Sequence, residues 1–455
     1  MSDPLSQLKS GPGLSRRNLL QGTVTGMAAS LAVPALSGWS QAGQSARSST
    51  QGKSAATLTP ADMPKAWSLE EMQRRWQITR QKMKENQLDC LLVPQHHSGE
   101  MIAERMDGDA DVEWLTGNSL PFKYVIFPVE GKITALSTAQ VRGTPEEKLC
   151  ADRGIEISVP QEAGVWSAAI IDSLREKNMA QARTGVTNLA KTPRQPEGEI
   201  SYTTYDRVLK AFPQGKFSPA GDLLWRLKLV HSQEEIGVLE KATLVGEIGL
   251  QAMMDTARPG VNHRVIWLAM FNAMVNASGE RPWRLSIRAG APPNSSLNRP
   301  LEEVMLAGTI LSQECSGCVL GYGSQVNQSV LLGPATDDWI SMSQYCLETF
   351  HAVLDAIVPG KSIHDVLAVY DKRLVAKGAK PGSLIIHSGG LGDLPRTGSN
   401  GEGSDVVLEA GMVFDIKPGF ALKGRGEVQI GDSLVVTQKG ARRLGKRDIT
   451  PNNLV

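Results

Sequence analysis

The sequence predicts a two-domain α+β protein, in which an α/β domain precedes an α+β domain built from two similar halves. Short apolar segments alternate with helical patterns up to about Asp222, which is the order expected of an α/β domain. Beyond that point the chain repeats itself at an offset of about one hundred residues, since 254–260 matches 354–360 and both copies end in Pro-Gly. Matching strand patterns follow each copy, which predicts a pseudo-twofold arrangement of helices on one curved antiparallel sheet. We expect a ligand site between the two halves.

The first domain opens with a predicted helix. Ser68 and Glu71 have the spacing of a capping box, and the helical pattern continues to about Asn86, before an apolar strand over 90–94. Structure is expected to begin near Trp67. The remaining predicted elements of this domain are a helix over 166–177 and strands over 124–128, 132–136, 155–159 and 184–186.

The two copies of the repeat predict the same local structure twice. In each copy a helix is stopped by Pro-Gly, and a polar residue, Asn262 or Ser362, caps the next helix. That second helix ends near a glycine, Gly279 or Gly378. The strand-like segments after the copies are 283–289 and 309–319, then 412–418 and 428–437, with a predicted loop over 288–300.

The N-terminus has the pattern of an export signal. Ser15-Arg16-Arg17-Asn18-Leu19-Leu20 precedes an uncharged stretch over 22–36, which is typical of a twin-arginine signal. This stretch is shorter than the roughly 20 residues that span a bilayer. We therefore expect a periplasmic or secreted protein. The predicted organisation is a signal peptide over 1–42, a linker over 43–65, a first domain over 66–224 and a second domain over 225–455.

Charge and cysteine content narrow the possible partners. Lys plus Arg (48) nearly balance Asp plus Glu (47), so no overall field would attract nucleic acid or an anionic membrane. We expect a small molecule or short peptide as the ligand.

Five cysteines do not make a disulfide framework in a chain of 455 residues. The pair Cys315 and Cys318 is a weak zinc or redox signal, so both are predicted to be buried thiols.

Several ordered motifs carry a family resemblance. They are the helix opening over 227–236, Gly-Tyr-Gly-Ser over 321–324, the segment 411–419, and 428–433 running into 435–437. Together they resemble the pita-bread domain of creatinase, prolidase, aminopeptidase P and methionine aminopeptidase. Trp114-Leu115-Thr116-Gly117 resembles the creatinase-type N-terminal domain. The resemblance covers about 67–444 and implies this fold and a homodimer.

The resemblance also implies a metal site that has lost its ligands. The family's metallopeptidases hold two divalent ions with two aspartates, one histidine and two glutamates. Only the histidine is unchanged, and a substrate-binding histidine falls near Asn298. In family order, the five ligand positions fall on Glu314, Gln325, His387, Lys417 and Gly431. A cation beside Lys417 would meet repulsion and too few oxygen ligands, so we expect no metal cofactor.

A metal-free reaction is still conceivable with these residues, because creatinase shows that the fold can catalyse hydrolysis without a metal. Asp415 and Lys417 lie two apart on a strand and should share a face. Lys417 could stabilise an oxyanion, while Glu314 and His387 could transfer protons. The predicted reaction is hydrolysis of a C–N bond, amide or amidine, in a small polar nitrogenous substrate. The predicted substrate-binding residues are Asn298, Arg299, Gln325 and Asn327.

Other interpretations remain open at this point. Lys417 and Asp415 could be a buried ion pair that only fills the space of the lost metals. Three functions are compatible with the sequence: a metal-independent creatinase-like hydrolase, a dimetal Xaa-Pro aminopeptidase or prolidase, and an inactive protein that binds a ligand or partner.

Overall fold

The fold is taken from a computed structural model of the chain. All of the described residues belong to one compact unit, residues 55–455. The predicted signal peptide, Asn298 and Arg299 lie outside them. The described residues are 58–95, 110–117, 122–190, 198, 200–290, 294–297, 300–381, 385–391 and 406–454.

The N-terminal domain is a six-stranded mixed sheet with helices packed on it. The predicted strand over 90–94 has the same limits in the structure, and the four further strands and the helix over 166–177 are confirmed within a few residues. The sheet order is β4-β3-β2-β1-β5-β6. The strands are β1 Cys90–Pro94, β2 Phe122–Pro128, β3 Thr134–Ser137, β4 Glu156–Ser158, β5 Arg183–Val186 and β6 Lys216–Pro219. The helices are α1 Leu69–Glu85, α2 Asp111–Thr116, α3 Pro145–Asp152, α4 Trp166–Glu176, α5 Tyr202–Ala211 and α6 Gly221–Lys228.

Ordered structure starts earlier than predicted. Residues 60–62, assigned to the linker, form a 3₁₀ turn, because the Asp62 carboxylate accepts hydrogen bonds from both the backbone N–H and the hydroxyl of Thr59. Met63 is buried beyond this turn. The predicted cap of α1 is half correct, since Ser68 Oγ accepts from the Glu71 N–H, whereas the Glu71 carboxylate binds Arg74 and Arg75.

The C-terminal domain is an eleven-stranded sheet covered by two helix pairs. Its central order is β12-β13-β15-β10-β9-β11-β17, while β7 pairs with β8 and β9, and β14 and β16 pair with β15. Part of the predicted loop over 288–300 is strand β8. The strands are β7 Arg284–Ala289, β8 Asn294–Leu297, β9 Ile310–Val319, β10 Tyr322–Gln328, β11 Val330–Leu332, β12 Ile386–Ser388, β13 Val413–Ile416, β14 Gly419–Leu422, β15 Gly426–Thr437, β16 Gly440–Arg443 and β17 Asn452–Leu454. The helices are α7 Gln233–Thr256, α8 His263–Ser278, α9 Asp337–Ala356 and α10 Ile363–Ala376.

The predicted repeat is present as two helix pairs with the same caps. The side chains of Asn262 and Ser362 accept hydrogen bonds from the first turns of α8 and α10. Helix α7 packs closely on one face of the sheet, because a Cβ at Gly317 of β9 would lie 2.0 Å from the carbonyl oxygen of Ala242. The predicted α+β class, with an N-terminal domain before a pita-bread domain, is therefore confirmed.

Within the described residues, every helix is too short or too polar to span a lipid bilayer.

A buried ionic network joins the two domains. Arg75 of α1 is fully buried and pairs with Glu71 and with Glu235 of α7. Tyr322 donates from its hydroxyl to Glu235 at 2.6 Å, and the Arg75 guanidinium lies 4.3 Å from the centre of the Trp67 ring. We call Glu71, Arg75, Glu235 and Tyr322 the junction network. It fixes the start of α7 and of β10, the strand that leads into the site.

Candidate functional site

Five of the predicted site residues meet on one face of the eleven-stranded sheet. Glu314 lies on β9, Gln325 on β10, His387 on β12 and Asp415 on β13, and Lys417 follows β13 directly. Helix α7 covers the opposite face of β9 and β10. The strand order brings residues distant in sequence side by side, as in the pairing of His387 with Asp415. We call these five residues the central cluster and the face that carries them the site face.

Glu314 is held between two cations. The Lys417 ammonium donates to Glu314 Oε1 at 2.9 Å, and Arg284 of β7 forms an ion pair with Glu314 Oε2. Burial disfavours the ionised carboxylate, but Lys417 and Arg284 outweigh that effect and lower the pKa of Glu314 from 4.5 to about 2. Glu314 is therefore ionised at neutral pH and is a weak proton acceptor there.

Gln325 connects Lys417 to His387. Its side-chain oxygen accepts from the Lys417 ammonium at 3.1 Å and lies 3.1 Å from His387 Nε2. The reversed amide would direct its NH₂ group at the ammonium, so the oxygen must face Lys417. His387 Nε2 must then carry the hydrogen and donate it to the Gln325 oxygen.

Asp415 is oriented by hydroxyl and backbone groups. Ser433 of β15 donates to Asp415 Oδ1, and the Gln325 N–H lies 3.3 Å from the same oxygen. The other carboxylate oxygen is 3.5 Å from His387 Nδ1. Asp415, rather than Glu314, is thus the carboxylate that contacts the histidine ring, whereas Lys417 and Gln325 lie between Glu314 and His387.

The two predicted substrate-binding amides that the structure describes have protein partners. Asn327 donates to the carbonyl oxygen of Gln313 and to Gln429 at 3.2 Å, and both Asn327 and Gln325 are almost fully buried. A substrate would have to replace existing hydrogen bonds to contact either one. Their role in binding remains a prediction, as do those of Asn298 and Arg299.

Sequence reasoning missed Arg284, Arg288 and Ser433. Arg284 and Arg288 lie four residues apart on β7, and the buried Leu285 and Ile287 point to the opposite face. This period of two places both arginines on the site face. The predicted strand over 283–289 already shows this alternation of residues. The sequence does not show which strand pairs with it.

The residues present do not fit a dimetal centre. The Lys417 ammonium occupies the space beside Glu314 and Gln325, where like-charge repulsion would oppose a divalent ion. A Cβ at Gly431 would lie 2.5 Å from Asn327 Oδ1 and 2.9 Å from Lys417 Cβ, so that position has no room for a liganding side chain. In the described part of the chain, no group of three or more His, Cys, Asp and Glu side chains is placed to bind a metal.

Comparison with known proteins agrees with the geometry of the fold. Residues 238–438 match the family model for metallopeptidase family M24. This part of the chain is similar to M24-family domains. An uncharacterised hydrolase/peptidase of Sinorhizobium fredii is 24% identical over 85% of this chain and 97% of its own length. A Xaa-Pro dipeptidase of Pyrococcus furiosus is 23% identical over 55% of this chain and 73% of its own.

Two further similarities extend over most of the chain. Creatinase of a Bacillus species is 20% identical over 85% of this chain and 93% of its own. The solved structure of a Xaa-Pro dipeptidase from Bacillus anthracis superposes with a TM-score of 0.69 at 18% identity, covering 84% of this chain and 100% of the other. The match to the M24 family model and these relatives support a hydrolase that acts on C–N bonds, as the sequence predicts.

The tight packing at Gly431 predicts that any side chain at this position lowers the stability of the protein. Gly431→Ala should lower the free energy of unfolding by about 1–3 kcal/mol, because the new methyl group overlaps Asn327 and Lys417. Gly237→Ala is the control, since that helical glycine faces open space and its replacement should stabilise α7 by about 0.5–1 kcal/mol. Urea denaturation of both variants measures the difference. Equal effects would contradict the packing described for Gly431.

The lowered pKa of Glu314 predicts a loss of stability in acid. The folded state holds the carboxylate ionised down to about pH 2, whereas the unfolded chain protonates it near its ordinary pKa of 4.5. The contribution, about 3 kcal/mol, should be complete above pH 4.5 and disappear as pH falls towards 2. Denaturation curves between pH 2 and pH 6 should therefore show a shallower pH dependence for Glu314→Gln than for the wild type. Identical slopes would show that Glu314 is not held ionised.

Proposed function

We propose that the chain is an exported, metal-independent hydrolase of the M24 family that cleaves a C–N bond in a small polar nitrogenous substrate. The observation that carries the proposal is the position of Lys417, whose ammonium binds Glu314 and Gln325 where the family resemblance places metal ligands. A fixed cation at this point can provide the positive charge that the reaction needs without a bound ion.

The chemistry follows from the charges of the central cluster. Water adds to the electrophilic carbon of the substrate. Negative charge then develops on the atom doubly bonded to that carbon, which is oxygen in an amide and nitrogen in an amidine. Lys417, held in place by Glu314 and supported by Arg284, stabilises this charge. Glu314 orients the two cations and remains ionised. This assignment differs from the sequence-based hypothesis, in which Glu314 and His387 form the proton-transfer pair.

His387 and Asp415 supply the proton transfers in this proposal. The ring of His387 lies between the Gln325 side chain and the Asp415 carboxylate, and Asp415 is itself fixed by Ser433. Because Nε2 carries the hydrogen that contacts Gln325, His387 takes a proton from the attacking water at Nδ1 and returns one to the leaving nitrogen as the C–N bond breaks, while Asp415, 3.5 Å from Nδ1, stabilises the protonated ring. The products are the hydrolysed acyl or carbamimidoyl fragment and an amine.

The proposal is tested by turnover of a panel of small amides, amidines and Xaa-Pro dipeptides with chelator-treated protein. We expect hydrolysis that does not require added metal and that is lost in Glu314→Ala and His387→Ala. Activity of both variants at the wild-type rate would overturn the assigned roles. Activity that appears only after addition of zinc, manganese, iron or cobalt would favour a conventional metallopeptidase.

A peptide substrate is the second candidate, because relatives of this chain include proteins named Xaa-Pro dipeptidase. In that case Xaa-Pro dipeptides would be the preferred members of the panel. The metal-binding residues that such an activity would use are absent at Lys417 and Gly431, which is why we favour the metal-independent reaction.

Export and assembly belong to the same proposal. The pattern Ser15-Arg16-Arg17 with its following uncharged segment supports export by the twin-arginine route to the periplasm or the medium. The family resemblance supports a homodimer. Fractionation of cells and the mass of the purified protein in solution test these two points separately.

A further inference from the structure

Three buried hydroxyl groups connect helix α7 to Asp415. The hydroxyl oxygen of Thr243 on α7 lies 2.5 Å from that of Ser324 on β10, which in turn lies 2.6 Å from that of Ser433 on β15. Ser433 contacts Asp415 Oδ1. Thr243, Ser324 and Ser433 are at most 1% exposed, so bulk water does not reach them. We call these three residues the hydroxyl network.

The hydroxyl network crosses the sheet where β10 and β15 separate. The pairing of these two strands ends at Asn327 with Gly431. Beyond that pair, the Ser433 oxygen accepts from the Gln325 N–H at 3.0 Å, as a strand carbonyl would. The Gln325 carbonyl oxygen is 3.2 Å away and uncharged, so it competes poorly with a carboxylate for the Ser433 hydrogen. Ser324 precedes Gln325 and therefore points to the face of the sheet that α7 covers.

The hydrogens of the hydroxyl network can be placed by counting donors. A hydroxyl has one hydrogen and two lone pairs, whereas a carboxylate oxygen only accepts. The contact of Ser433 with Asp415 therefore uses the single Ser433 hydrogen. The Ser433 oxygen must then accept from Ser324, and the Ser324 oxygen must accept from Thr243. Thr243 thus donates towards the sheet and not to Leu239 of its own helix.

The opposite order of hydrogens is incompatible with the same contact. The Thr243 hydroxyl also lies 2.8 Å from the carbonyl oxygen of Leu239. If Thr243 donated there, Ser324 would donate to Thr243, and Ser433 would donate to Ser324. The oxygens of Ser433 and Asp415 would then face each other with no hydrogen between them, which is repulsive. The Leu239 carbonyl does not need the hydroxyl, because it accepts the helical N–H four residues later.

We infer that every hydrogen of the hydroxyl network is directed towards Asp415, and that Thr243 and Ser324 are positioning residues for this carboxylate. This inference deepens the proposed function and rests on it for the role of Asp415 beside His387. The hydroxyl network fixes Asp415 Oδ1, which leaves Oδ2 facing His387 Nδ1 at 3.5 Å. Each hydrogen bond polarises the next, so the donor from α7 strengthens the bond that Ser433 makes to the carboxylate.

Neutron diffraction from crystals exchanged into heavy water tests the order of the hydrogens directly, because it locates deuterium. We expect the Thr243 deuterium to point at Ser324 and the Ser433 deuterium to point at Asp415. A Thr243 deuterium directed at Leu239, or a deuterium on the Asp415 carboxylate, would overturn the inference. The measurement needs no turnover, so it decides the order of the hydrogens whether or not the chain hydrolyses C–N bonds.

Thr243→Val tests the first hydroxyl of the network, and Thr79→Val is its matched control. Thr79 is also fully buried, and its hydroxyl lies 2.8 Å from the carbonyl oxygen four residues earlier on α1. Thr243→Val should raise the equilibrium constant of unfolding about fivefold, the factor for one ordinary hydrogen bond. Thr79→Val should change it less than about twofold, because it removes only a bond within the helix. Equal changes in urea denaturation would contradict a donor from Thr243 to Ser324.

The kinetic test separates a positioning role from a purely structural one. With the best substrate of the panel, Thr243→Val and Ser324→Ala should each lower kcat about fivefold and change KM less than about twofold. Thr243→Ser should restore the wild-type kcat, and Thr79→Val should retain it. A wild-type kcat in both network variants would overturn the positioning role, whereas a wild-type protein without turnover would contradict the proposed function.

Discussion

Replacement of Lys417 by methionine should reduce kcat by about 100-fold or more on the best substrate of the panel, with a smaller change in KM. The ammonium stabilises charge that develops in the transition state, and the loss of one such donor has effects of this size in other enzymes. The fold should survive, because Arg284 still pairs with Glu314. Steady-state kinetics at neutral pH, with far-ultraviolet circular dichroism as the check on folding, gives the result.

Lys210→Met is the control for this experiment. Lys210 is 74% exposed and pairs with Asp206 on the surface of α5, so its loss should leave kcat unchanged. A wild-type kcat in Lys417→Met would show that the ammonium only fills space. This is the structural role that the sequence analysis considers for an ion pair of Lys417 with Asp415.

Glu235→Ala should destabilise the protein by about 3–5 kcal/mol. The change removes the partner of the fully buried Arg75 across the domain junction and the acceptor of the Tyr322 hydroxyl. Glu71 is then the carboxylate partner left to both Arg74 and Arg75, so the junction carries excess positive charge, and a buried charge that is not fully balanced is among the most costly single defects in a protein. The midpoint of urea denaturation, followed by tryptophan fluorescence, measures this loss.

Glu240→Ala provides the comparison on the same helix. Glu240 is 40% exposed and its partner Arg442 is 50% exposed, so breaking this pair should cost less than about 1 kcal/mol. A Glu235→Ala variant as stable as Glu240→Ala would contradict the buried junction network.

The sequence predicts the structure correctly where the pattern is local or repeated along the chain. Strand β1 and the caps at Asn262 and Ser362 follow from short patterns that the structure reproduces. These predictions needed only neighbouring residues.

The features that the sequence did not predict depend on the pairing of strands that are distant in sequence. Arg284 reaches Glu314 because β7 pairs with β9 in the register that sets Ser286 opposite Glu314, and no local pattern fixes that register. The same applies to Ser433, which contacts Asp415 through the pairing of β13 with β15. Strand β8, predicted as loop, exists because it pairs with β7.

Metal analysis of the protein purified without chelator tests the central claim most directly. The cluster of Lys417, Glu314 and Arg284 predicts far less than one transition-metal ion per chain by inductively coupled plasma mass spectrometry. Zinc, manganese, iron or cobalt near one or two ions per chain, retained through dialysis, would contradict a site built around the Lys417 ammonium.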